Sequence, residues 1–167
     1  MTPRRPVYLA GFDVFRRDAV AHGQYLKALC ADQGLQGLYP FDNELPAGLE
    51  GLAAAQRICQ QNIAMIRRSE AVLANLNVFR GQEPDSGTVF EVGLAVALGK
   101  PVWAYLAPDR SLREQVAHDP EGFDAQGFAV EDFDLPRNLM LAASWAGYSA
   151  TVEQAVGDLR RHLASAL

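Results

Sequence analysis

Asp85 and Glu91 flank the opening of a run that is otherwise small and apolar, Ser86-Gly87-Thr88-Val89-Phe90-Glu91-Val92-Gly93. Asp85 is placed to cap a helix that Ser86 and Gly87 open, because a short acidic side chain there accepts the free N–H groups of the first turn. Glu91 falls in the second turn, with Gly87 and Ala95 one turn to either side on the same face. Neighbours that small leave a carboxylate room to touch something other than protein. A partly buried Glu can attack an anomeric carbon, hold the sugar as an ester and yield it to a second acceptor, which splits one hard substitution into two easier ones. A second carboxylate kept neutral by the first can hold or protonate the leaving group. The plainer role for the same pair is capping and dipole stabilisation, and on pattern alone that is the commoner use of such residues.

Other chemistries find less support. Ala10-Gly11-Phe12-Asp13-Val14-Phe15 follows the first apolar run without a G-x-G-x-x-G fingerprint, and there is no Walker A sequence. His22, His118 and His162 are scattered, no Ser sits in a nucleophile elbow, and the histidines read as solvated. Cys30 and Cys59 lack the paired spacing of a zinc site and read as buried or idle thiols, so no metal is expected. A chain of 167 residues, 49% hydrophobic and 21% charged, suits one domain over 1–167 with a single core. A net charge of -5 with dispersed Lys and Arg argues against nucleic acid as partner. The basic opening Met1-Thr2-Pro3-Arg4-Arg5-Pro6 precedes an apolar run too brief for a signal segment or a membrane span, so a cytoplasmic, reduced setting is expected.

The elements that must position the two carboxylates alternate. Short apolar runs at 7–10, 37–39, 71–74 and 101–106 predict strands, and the periodic segments 19–31, 52–68 and 88–98 predict helices between them, the last stopping at Gly99. The segment 41–51 is a turn-rich loop, and 109–134, rich in Asp, Glu and Gly, reads as a mobile excursion of the kind that covers a pocket. A short helix opened by Pro136, a weak strand over 145–148 and a helix from Thr151, boxed by Gln154, complete the chain. This order predicts an α/β fold: a single-domain, doubly wound, flavodoxin-like or Rossmann-like five-stranded parallel sheet with helices on both faces. Ligands of such sheets lie beyond the carboxyl ends of the strands, here Gly11-Phe12-Asp13, Phe41-Asp42-Asn43 and 75–91.

Tyr8-Leu9-Ala10-Gly11, Asp42-Asn43-Glu44, Gln61-Asn62-Ile63-Ala64-Met65-Ile66, the run from Phe79 through Asp85 and Glu91 to Gly93, and Asn138-Leu139-Met140 together resemble the nucleoside 2-deoxyribosyltransferase family. The resemblance extends from the first strand to Asn-Leu-Met. It implies exchange of the base of a 2'-deoxynucleoside for another purine or pyrimidine, with retention at the anomeric carbon and no metal or organic cofactor. Glu91 matches the family's nucleophile, Asp85 the carboxylate that contacts the base and helps protonate it, and Tyr8 the tyrosine that orients the nucleophile. Asn138 matches an asparagine that reaches the sugar 5'-hydroxyl, in many members from a neighbouring subunit, with Met140 beside it; a homo-oligomer is then expected. Gly11, Phe12, Asp42, Asn75 and Gly87 are the remaining expected substrate contacts. One position departs from the family: Ala74-Asn75-Leu76 carries an amide where an acidic residue is usual, which would alter base recognition because Asn donates as well as accepts. Two other readings stay open. A deoxynucleoside N-hydrolase, acting on the nucleoside or its 5'-monophosphate, would let water take the sugar, and a non-catalytic nucleotide-binding module would bind without turnover.

Overall fold

Short apolar runs without a polar face need cover on both sides. In the computed structural model of the chain, which describes residues 4–107 and 110–165, they pair into one parallel sheet. Met1 to Pro3 of the basic opening and Asp109 of the expected excursion lie outside the described residues. The strands are β1 (Arg5–Ala10), β2 (Leu35–Leu38), β3 (Ala71–Asn75), β4 (Val102–Tyr105) and β5 (Gly147–Ser149), arranged β2-β1-β3-β4-β5. The helices are α1 (Ala19–Asp32), α2 (Gly51–Arg68), α3 (Ser86–Ala97), the single turns α4 (Leu112–Gln115) and α5 (Leu139–Ala142), and α6 (Val152–Ser165).

Side chains of a strand alternate between faces, and the two faces of this sheet have separate cores. Val7 and Leu9 of β1 and Leu73 of β3 pack on Leu26 and Cys30 of α1 and on Val156 and Leu159 of α6. Burial there pushes the Cys30 thiol up to about 12, so it acts as a small hydrophobe. Tyr8, Ala10, Val72 and Ala74 point the other way, onto Met65 and Ile66 of α2 and Val92 and Ala95 of α3. The doubly wound parallel sheet expected from the alternation is the one observed. Among the described residues, no helix is long and apolar enough to cross a membrane.

Three local differences have simple causes. β2 begins at Leu35 rather than Gly37, because Gly34, at φ 74°, turns the chain out of α1 straight into the sheet. The short helix α5 begins after Asn138, whose side chain accepts from Met140 N, and Pro136 is buried ahead of it. The stretch 110–134 is tethered by its own side chains: Asp119 Oδ1 accepts from the N–H groups of Glu121, Gly122 and Phe123 at 3.0, 2.8 and 2.9 Å. Arg113 Nη1 donates to the carbonyls of Gly122 and Val130 at 3.3 and 3.0 Å. Arg137, wholly buried, ties this stretch to the exit of β3, with Nε to Leu76 O at 2.7 Å and Nη1 to Gln115 Oε1 at 3.0 Å.

Candidate active site

β1 and β3 are neighbours in the middle of the sheet, but the chain goes to β2 on one side and to β4 on the other. Reversals of this kind leave a crevice above the carboxyl ends of the strands. A cavity of about 420 Å³ occupies it, walled by Gly11 and Phe15 after β1, Phe41 and Asn43 after β2, Asn62 of α2, and Asp85, Gly87 and Glu91 around the start of α3.

Glu91 projects into this cavity from the second turn of α3. Tyr8, fully buried in β1, donates its hydroxyl to Glu91 Oε1 at 2.5 Å, and Asn62 Nδ2 meets the same oxygen at 3.4 Å. Oε1 is therefore held by both donors, and neither of them reaches Oε2. Burial pushes the Glu91 carboxyl up to about 7; the bonds from Tyr8 and Asn62 pull against it, and the nearby Asp85 charge adds to it. Burial and the Glu91 charge also push the Tyr8 phenol well up, which keeps it a donor throughout the neutral range.

Asp85 is both a helix cap and a cavity residue. It caps α3, with Oδ2 accepting from Thr88 N at 2.9 Å and from Thr88 Oγ1 at 3.0 Å, and it lines the cavity beside Glu91. Both bonds fall on Oδ2, which leaves Oδ1 for a ligand. Gly87 lies between the two carboxylates, where a Cβ would stand 3.1 Å from Asp85 Oδ2.

The structure brings Tyr8, Gly11, Asp85, Gly87 and Glu91 together, and it places the other expected contacts elsewhere. Phe12 turns away and stacks on Phe79 at 4.7 Å between ring centroids, while Phe15, in the same 3-10 turn, lines the cavity. Asp42 is spent on Lys27 Nζ at 2.6 Å and on Tyr39 N at 3.0 Å; its neighbour Asn43 is the wall residue. Asn75 is buried beneath the wall and does not form part of it. Its Nδ2 donates to Asp13 Oδ2 at 2.8 Å and its Oδ1 accepts from Asn77 Nδ2 at 2.7 Å. Asp13 is in turn reached by Tyr105 at 3.2 Å and by His22 Nε2 at 3.1 Å, so His22 belongs to a buried network and is not a solvated histidine. The amide at Asn75 thus anchors the turn that carries Gly11 and Phe15. No residue of 110–134 lines this cavity, so the expected cover is a flank.

Asn138 and Met140 lie on the opposite side of α3. They line a separate concavity with Val89, Gly93 and Val96, a helix face turned away from Gly87 and Glu91. Asn138 Nδ2 donates to Glu131 Oε1 at 2.5 Å, and the other oxygen of Glu131 accepts from Leu139 N at 2.8 Å. Asn62, Phe15, Phe41 and Asn43 are wall residues that were not among the expected substrate contacts, although Phe41 and Asn43 fall in a loop expected to face a ligand. For Asn62 there was a signal: a polar position on α2 within one of the motifs carrying the resemblance.

Fold and site define a flavodoxin-like α/β protein with a tyrosine-held carboxylate at the switch point of its sheet. The chain belongs to the nucleoside 2-deoxyribosyltransferase family, whose sequence model matches residues 7–140. It is similar to a 2-deoxyribosyltransferase from Leishmania mexicana, at 33% identity over 95% of this chain and 98% of that one, with a TM-score of 0.78. A 2-deoxyribosyltransferase from Bacillus psychrosaccharolyticus shares the fold, at 18% identity and a TM-score of 0.61 over 93% of this chain and 90% of that one. A curated relative, an uncharacterized protein of Schizosaccharomyces pombe, is 34% identical over 115 residues, 66% of this chain. The match spans about half, 54%, of that relative's length.

Proposed function

We propose that the protein exchanges the base of a 2'-deoxynucleoside for another purine or pyrimidine through a deoxyribosyl ester on Glu91. The observation that carries this reading is the half-buried Glu91, held on one oxygen by Tyr8 and Asn62, in one cavity with Asp85. Glu91 Oε2 attacks C1' as the C1'–N bond breaks, and the electron pair of that bond leaves on the base nitrogen, which gains a proton on the Asp85 side. The incoming base gives up its N–H proton on the Asp85 side as it attacks C1' from the face the first base left, and the carboxylate departs with the ester's electron pair. Two inversions amount to retention. Neither step calls for a metal or an organic cofactor. Mixing a donor deoxynucleoside with a different free base and following the products by chromatography tests the reading. A new deoxynucleoside is expected; free base released without one would mark a hydrolase, and binding without turnover a non-catalytic module.

The ionised carboxylate is the attacking species, so the raised Glu91 pKa has a direct consequence. The kcat/KM for exchange is expected to fall roughly tenfold per pH unit below about 7, the value to which burial lifts Glu91. Tyr8→Phe removes a bond that favours the charged form, and the acid limb should move to higher pH. A limb that stays in place in Tyr8→Phe would contradict the assignment of Tyr8 as the group that orients and charges Glu91.

The position of Asn138 and Met140 across α3 supports a second element of the proposal, that these residues complete the 5' end of a neighbouring copy's site. A carboxylate at Glu131 beside Asn138 suits a neutral hydroxyl there better than a phosphate dianion. If sites are shared, mixing Glu91→Gln with Asn138→Ala subunits should restore activity to about a quarter of the wild-type level, because some assemblies then hold one site with both native residues. Activities that merely average on mixing would place Asn138 in its own chain's site or in none.

A further inference from the structure

Phe15 and Phe41 wall the same cavity as Asp85, and each keeps more than half of its surface exposed, 58% and 52%. Aromatic rings left uncovered on the wall of a cavity are surfaces for a flat partner. Both are propped by another ring. The buried Tyr39 meets Phe41 edge to face at 5.7 Å, and Phe79 stacks on Phe15 at 5.6 Å between centroids with 12° between the planes.

Phe79 lies in the connection from β3 to α3, which ends at Asp85. Its N–H donates to Glu83 O at 2.9 Å, so the chain closes on itself just before Asp85. Arg80, inside that turn, has φ 54°, a left-handed backbone that residues with a side chain rarely adopt. Such a conformation persists where the surroundings hold it. Here the surroundings are aromatic: Arg80 Cζ stands 4.5 Å from the centre of the Phe79 ring and 5.3 Å from that of Phe15. A flat guanidinium drawn to two rings at once resists the turning of either. We propose that the base stacks on Phe15 and that Arg80 is a positioning residue, clamping this ring to the connection that also carries Asp85; this rests on the base lying beside Asp85. The face of the base and the carboxylate at its edge are then set in register before the reaction begins. A purine covers more of the ring than a pyrimidine does, so the platform matters more for purines.

The test follows exchange from one donor to adenine or to cytosine as acceptor. Phe15→Leu should raise KM for adenine about 10-fold and for cytosine about 3-fold, with kcat changed less than about twofold, because stacking binds the base without entering the chemistry. Arg80→Ala should raise the adenine KM about 2- to 5-fold, and Arg80→Lys, which keeps the charge without the flat guanidinium, by less. In Phe15→Leu, adding Arg80→Ala should change nothing further, since the ring it clamps is gone. Both side chains are exposed, so neither substitution disturbs a core. An unchanged KM in Phe15→Leu would overturn the platform. Arg80→Ala equal to the wild type would overturn the clamp, and so would a loss that adds to that of Phe15→Leu, because the guanidinium would then meet the base itself. If the wild type neither exchanges nor releases base from any deoxynucleoside, the function proposed for the whole site falls. Calorimetric titration with adenine alone then decides the platform: weaker binding by Phe15→Leu upholds it, and equal binding overturns it.

Discussion

Glu91→Gln should abolish base exchange, lowering kcat/KM by ~10⁴-fold or more, because an amide oxygen cannot form and release the sugar ester. The same variant should be more resistant to denaturant than the wild type at pH 8. The folded-state pKa of Glu91 lies near 7, above the usual carboxylate value of 4.5, so the folded protein binds a proton more tightly there than the unfolded chain does. Stability contributed by this group is therefore full below about pH 4.5 and lost as the pH rises to 7. Gln carries no such cost, and its Oε1 can still accept from Tyr8 and Asn62. Urea titrations of the two proteins should coincide near pH 4.5 and separate by up to about 3 kcal/mol at pH 8. Retained exchange in Glu91→Gln would end the covalent mechanism. Coincident titrations at pH 8 would mean that the Glu91 carboxylate is not strained by its surroundings.

Asp85→Asn should cost ~10²- to 10³-fold in kcat/KM with an ordinary donor, because an amide cannot assist the proton that the departing base needs. Asn caps helices about as well as Asp, and its side-chain oxygen can still accept from Thr88 N and Thr88 Oγ1, so the fold should be unaffected. The effect should depend on the leaving base. A donor whose base already carries a positive charge, such as 7-methyl-2'-deoxyguanosine, needs no proton to depart and should be nearly as good a substrate for the variant as for the wild type. A loss of the same size on both donors would show that Asp85 positions the base and does not help it leave.

The sheet and its two covered faces were legible because each strand and helix carries its own periodic signal, from Val7-Tyr8-Leu9-Ala10 to Val156, Leu159 and Leu163. Asp85 and Glu91 were legible for a related reason: α3 is regular, so their spacing fixes which way they point. The loop contacts were harder to read. Phe12 and Phe15 share one 3-10 turn, and only the anchoring of Asp13 between Asn75, Tyr105 and His22 decides that Phe15 faces the cavity. Asp42 and Asn43 are likewise sorted by Lys27, a residue far outside their own loop. The stretch 110–134 has no period to read, since aspartate caps such as Asp119 hold it together locally. Asn62 had a local signal, as a polar residue in the middle of the apolar face of α2 among Ile58, Met65 and Ile66, but only the approach of α3 shows that its amide meets Glu91.

The two donors on a single oxygen of Glu91 have a consequence for the second half of the proposed reaction. Once Oε2 is bonded to the sugar, Oε1 becomes the carbonyl oxygen of an ester, and the Tyr8 hydroxyl and the Asn62 amide still point at it. As the C1'–Oε2 bond lengthens, negative charge returns to the carboxyl group and spreads onto Oε1, where those donors already stand. Groups that restrain the carboxylate before the sugar is captured thus become the electrophilic assistance that lets it go. One pair of hydrogen bonds thus serves both halves of the proposed exchange.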